Sequence, residues 1–138
     1  MVEVSTLPRG FAARTTTADP EAVWRRWTDP GTWGSWDLGL RSAALDGEFA
    51  PGAQGMITGT DGRRSRFTVR EVEPLRRTVV AVRLPAAEMV LTRTLDPGPQ
   101  AGVEHRVSFT GPLGALWSAV LGRRFRPLIG PTVERVAG

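Results

Sequence analysis

The chain has 138 residues and a formal charge of +4, and it contains no cysteine, tyrosine or lysine. That length suits a single domain, residues 1–138, able to bury roughly two-thirds of its unfolded surface. Without cysteine there is no disulfide, thiolate nucleophile or cysteine-ligated metal, and a lone histidine, His105, makes no zinc site, so neither metal nor cofactor is expected.

All 18 basic residues are arginine, asparagine is also missing, and isoleucine occurs twice. Lysine, asparagine, tyrosine and isoleucine use A/T-rich codons, so the bias reads as that of a GC-rich bacterial genome rather than selection for a polyanion. The arginines fall in separate pairs (Arg25-Arg26, Arg63-Arg64, Arg76-Arg77, Arg123-Arg124) and form no continuous stripe, so no nucleic-acid partner is expected. The first residues lack a basic start followed by an apolar run, and the longest largely apolar stretch, Leu113 to Leu121, falls far short of the about 20 residues of a membrane span. The expectation is a cytoplasmic protein with no membrane span.

Phe11 to Thr17 is β-branched toward its end and predicts a strand. Asp19-Pro20-Glu21 is a helix start, with an N-cap acceptor, proline at the first helical position and an acid in the first turn. Val23, Trp24 and Trp27 share a face of that helix, which reads as core. Asp29-Pro30 starts a second, short helix carrying Trp33. Four of the five tryptophans fall between Trp24 and Trp36, and such a cluster builds either a dense mini-core or the lined mouth of an apolar pocket.

From Leu38 the pattern changes to short segments bounded by turns: Leu38–Leu45, Gln54–Thr60, Arg64–Val72, Thr78–Leu84, Met89–Leu95 and Val103–Thr110. Asp61-Gly62 is a strong hairpin signal. Six consecutive strands at this spacing predict an antiparallel meander. Gly111-Pro112 opens a final helix with a wide apolar stripe from Leu113 to Leu128, in which Pro127 and Pro131 predict a kink or break.

The order is β-α-α-β6-α, an α+β chain in which one curved antiparallel sheet wraps a long C-terminal helix. Such a sheet cannot fill its own interior, so an internal cavity is expected between sheet and helix, with Trp33 and Trp36 near its edge. Strand alternation then sets one face of each strand inward. Phe67, Val69 and Glu71 share one side, Met89, Leu91, Arg93 and Leu95 another, and Val103, His105, Val107 and Phe109 a third. These residues, with Leu40, Trp117 and Leu121, predict an apolar lining with three polar intrusions. Glu71, Arg93 and His105 are thereby the candidates for proton transfer, since ionisable groups facing an apolar cavity are costly unless paired or used.

The series Ala18-Asp19-Pro20-Glu21-Ala22-Val23-Trp24, Thr28-Asp29-Pro30…Trp33…Trp36, Pro51-Gly52, Glu71-Val72-Glu73-Pro74 and Phe109-Thr110-Gly111-Pro112-Leu113 resembles the START-like, or SRPBCC, superfamily, and within it the bacterial polyketide cyclase/dehydrase-type proteins. The resemblance runs from about Phe11 to Val133 and implies a helix-grip fold enclosing a pocket for lipids, polyketides or other apolar molecules. It implies a small apolar ligand first and a polyketide aromatase/cyclase or dehydratase second. Cyclases of this kind use a pocket tyrosine, whose position here falls at Leu40, and a strand arginine, whose position falls at or beside Glu71. The chain has no tyrosine for the first, and for the second Arg70 lies beside Glu71 but by alternation faces the other side, unless a one-residue bulge brings it in. Ser108 lies on the strand face opposite His105, so no serine nucleophile is supported. A third reading, an interaction module using the sheet surface or the arginine pairs, has least support in the residues.

Overall fold

The structure, a computed structural model, describes residues 2–138. Eight strands form one curved antiparallel sheet: β1 (Glu3–Leu7), β2 (Gly10–Thr17), β3 (Leu40–Leu45), β4 (Gln54–Gly59), β5 (Arg64–Glu73), β6 (Arg77–Leu84), β7 (Ala87–Asp96) and β8 (Ala101–Thr110). Their order across the sheet is β1-β2-β8-β7-β6-β5-β4-β3. The six strands β3 to β8 are therefore a continuous meander. The β1–β2 hairpin closes onto its last strand, with Gly10↔Ser108 to Thr17↔Ala101 in register.

Helix α1 (Pro20–Thr28) begins as its sequence dictates. Asp19 accepts from the Ala22 N–H at 3.0 Å, Pro20 occupies the first turn, and Val23 and Trp27 are buried against the sheet. A 3-10 turn, Pro30–Thr32, is capped in the same way by Asp29, which accepts from Gly31 N–H at 3.1 Å. It leads directly into the single turn α2 (Trp33–Trp36). Here backbone lies on backbone: a Cβ at Gly34 would stand 2.3 Å from the Arg41 carbonyl oxygen of β3. Only glycine allows α2 to press this close, and that approach drives the two indoles on either side of it into the core.

The long helix α3 (Gly114–Ala137) runs unbroken through Pro127 and Pro131. Of the kink or break expected there, the break is absent. The two prolines lie four residues apart on the exposed side, where the carbonyls they leave unbonded meet solvent. The opposite side of the last turns carries Ile129, Val133 and Val136, all buried.

Two elements differ from the expectation. Strand β1 was not foreseen, because Val2 to Leu7 is too short and mixed to declare itself. It is an edge strand, and its Val4 packs near Gly130 of α3. The second difference is a bulge in β5. Val69 pairs with Val80, yet Glu71 pairs with Val79, so Arg70 is an extra residue in the ladder. After it, Val72 rather than Glu71 turns toward the core.

Gly34→Ala is expected to lower stability by about 1–3 kcal/mol through overpacking against β3. Gly122→Ala, in the middle of α3 where a Cβ meets nothing within 4 Å, should raise it by roughly 0.5–1 kcal/mol. Urea denaturation of both variants checks the pair.

Candidate functional site

Between sheet and α3 lies an open-mouthed cavity of about 680 Å³. Leu40, Met89, Leu91 and Val107 line it from the sheet, and Trp117, Leu121, Phe125 and Leu128 from α3. Its rim carries exposed charge, with Arg124 of α3 donating to Asp61 of the β4–β5 turn at 3.1 Å. Its buried end carries three polar side chains, Arg93, His105 and Asp37.

Arg93 and His105 are cross-strand partners on β7 and β8, only 3% and 5% exposed. The guanidinium carbon of Arg93 lies 4.8 Å from the ring centre of Trp33 and 5.0 Å from that of Trp36. Both distances fit cation–π contact. In charge terms its partner is Asp37, at the end of α2, but Nη2 stands 4.0 Å from Oδ2, outside hydrogen-bond range. Nη1 is buried with no hydrogen-bond partner. Burial depresses the Arg93 pKa to about 10 although Asp37 opposes that, so the side chain stays charged at neutral pH. Asp37 is mostly buried. Loss of solvent raises its pKa above the usual carboxylate value, against the pull of Arg93 and of the Gly39 N–H that Oδ1 accepts at 2.9 Å.

His105 is a neutral acceptor. Trp27 Nε1–H donates to its Nε2 at 2.9 Å, which places the imidazole proton on Nδ1. Desolvation first, and the nearby Arg93 charge second, hold its pKa well below the ordinary value. The Trp27 and Trp36 rings pack at 5.6 and 5.7 Å from it. An imidazole so held orients its neighbours and does not take up a proton near pH 7.

Of the three polar candidates, Arg93 and His105 therefore reach the cavity and Glu71 does not. The β5 bulge turns Glu71 to the outer surface, where Arg77 donates to it at 3.1 Å and its side chain is 53% exposed. Arg70 is also outside, paired with Glu88. Of the residues expected to line the pocket, Leu40, Met89, Leu91, Val107, Trp117 and Leu121 do so. Trp33, Trp36, Phe67, Val69 and Phe109 are instead packed in the core. Trp33 lies 5.2 Å from Phe67 and donates Nε1–H to the Trp27 carbonyl, while Trp36 donates to Thr32 Oγ1. These indoles form the wall behind Arg93, not the mouth. Asp37 escaped the sequence reading because it sits in the irregular link after α2, where strand alternation says nothing about direction. Among the described residues no group of three or more His, Asp or Glu could hold a metal ion, and no helix is long and apolar enough to cross a membrane.

Residues 11–137 match the family described as polyketide cyclase/dehydrase and lipid transport. No curated protein matches by sequence. A solution structure of an Arthrobacter aurescens protein superposes with a TM-score of 0.71 at 19% identity, over 98% of this chain and 88% of that one. The di-domain ARO/CYC StfQ of the steffimycin biosynthetic pathway gives 0.72 at 13% identity, over 94% of this chain and 49% of StfQ. A protein from the dynemicin biosynthetic locus, DynU16, gives 0.64 at 21%, over 89% of this chain and 45% of that one. Similarities at this level of identity establish the helix-grip fold.

His105 gives the fold a pH dependence of definite sign. The imidazole protonates near pH 6.5 in the unfolded chain and only at much lower pH in the folded one, so its contribution is full above pH 6.5 and is lost as pH falls from there toward the folded pKa, by about 1.4 kcal/mol per pH unit. Asp37, with its raised pKa, acts in the opposite sense once pH falls through that value. Denaturation between pH 7.5 and 5 should show this decline in wild type and not in His105→Gln. His105→Phe should in addition lose about 1–3 kcal/mol, because the buried Trp27 N–H is left without an acceptor.

Proposed function

The chain belongs to the polyketide cyclase/dehydrase and lipid-transport family, and on that basis we propose that it binds a small hydrophobic molecule, lipid-, aromatic- or polyketide-like, in the cavity between sheet and α3. The cavity itself carries this reading. At about 680 Å³ it lies within the range of roughly 300–1,000 Å³ usual for small-molecule sites, and its aliphatic and aromatic walls gain free energy by shedding water onto an apolar ligand. The neutral, occupied imidazole and the outward carboxylate of Glu71 favour binding over catalysis.

A second reading, a polyketide aromatase/cyclase or dehydratase, draws support from Asp37 beside Arg93. A guanidinium that polarises a ligand carbonyl, next to a carboxylate able to take a proton from the adjoining carbon, is a working acid/base pair. In that case Asp37→Asn abolishes turnover of a poly-β-keto substrate and leaves its binding in place.

Filling the cavity tests the first reading. Native mass spectrometry and thermal shift with fatty acids and polycyclic aromatics should register binding to the wild type. The double variant Leu91→Phe/Val107→Phe should lose at least tenfold in affinity while melting no lower. No binding by wild type to any of these classes would overturn the proposal.

A further inference from the structure

The buried end of the cavity holds a guanidinium short of acceptors. Arginine presents five N–H donors in one plane. In Arg93 the guanidinium carbon lies over the Trp33 and Trp36 rings, Nη1 has no hydrogen-bond partner, and the carboxylate of Asp37 stands 4.0 Å from Nη2. A buried charge left in this state is costly, and an arriving acceptor recovers part of that cost. The acceptor that fits the edge of a guanidinium best is a carboxylate, through two parallel N–H···O bonds. Resting on the ligand-binding reading above, we infer that the ligand of this cavity is an apolar carboxylic acid, bound with its carboxylate on Arg93 in place of Asp37 as counter-ion.

Proton exchange follows from the charges at this end. The ionisable groups there are Arg93 from β7, His105 from β8 and Asp37 after α2, while α3 contributes the apolar Leu128 and Ile129 and the hydroxyl of Thr132. His105 already accepts from Trp27 and stays neutral. With a ligand carboxylate on the guanidinium, two carboxylates share one positive charge, and like charges this close cannot both remain ionised. Asp37 is the one that takes the proton, because burial already favours its neutral form. Binding of the ionised acid therefore consumes one proton, at Asp37, and no bond to carbon is made or broken. Affinity for the acid should fall up to tenfold for each unit rise in pH above neutrality.

The test compares 2-naphthoic acid and dodecanoic acid with their methyl esters by titration calorimetry, in buffers of different ionisation enthalpy so that protons are counted. Wild type should bind each acid at least tenfold more tightly than its ester, with uptake approaching one proton. Arg93→Gln, checked for folding by circular dichroism, should bring acid and ester to within about twofold. Asp37→Asn should keep the preference for the acid and lose the proton uptake. Equal binding of acid and ester by wild type, or an unchanged preference in Arg93→Gln, would overturn the inference and leave the ligand-binding reading standing. If neither acid nor ester binds, that broader reading falls and takes this one with it.

Discussion

A charged guanidinium is held out of water against two indoles, and the architecture around it is what makes that tolerable. Arg93 has tryptophan faces for partial compensation and a carboxylate at ion-pair distance, but no hydrogen bond at Nη1. The indoles in turn are held by their own N–H groups: Trp33 to the Trp27 carbonyl, Trp36 to Thr32, and Trp27 to His105. A chain of buried donors and acceptors thus runs from α1 to β8 and closes one end of the cavity. Removing His105 leaves the Trp27 N–H buried without a partner, which costs more than the bond itself was worth.

The long helix divides the interior along its length. Its last turns bury Ile129, Val133 and Val136 as ordinary core. Its earlier turns place Trp117, Leu121, Phe125 and Leu128 around open volume. An apolar helix face that covers empty space forgoes dispersion contacts that a packed core would supply. The fold carries that deficit, and a ligand of suitable shape removes it. That deficit is the physical basis on which the proposal of an apolar ligand rests.

Strand alternation placed Arg93 and His105 on inward faces, and the structure puts both there. The same rule applied to Glu71 fails at one residue. The extra Arg70 in β5 reverses the alternation beyond Val69, and Glu71 leaves for the surface. Trp33 and Trp36 lie in the core rather than at the rim because Gly34 lets α2 approach β3 at backbone contact. That closeness is a property of two segments together and is invisible in either one. Asp37 had no periodicity to place it, and only the packing of the α2–β3 link beneath α3 brings it to Arg93.

Local chemistry was enough for most of the elements, β1 and the continuity of α3 through its two prolines excepted. The caps at Asp19 and Asp29, the turn residues between strands, the meander and the apolar stripe of α3 all follow from short-range patterns of residue type, because caps, turns and periodicity are satisfied within a few residues. Position in the chain was enough for the family as well. What only the tertiary structure decided is which polar groups converge at the buried end: Asp37 in, Glu71 out, His105 neutral on Trp27, and Arg93 without an acceptor at Nη1. Those outcomes depend on a bulge, a close backbone approach and a long-range hydrogen bond, each joining residues far apart in sequence. The energy of burying a charge is set by everything around it, so it is fixed only when the whole fold is closed.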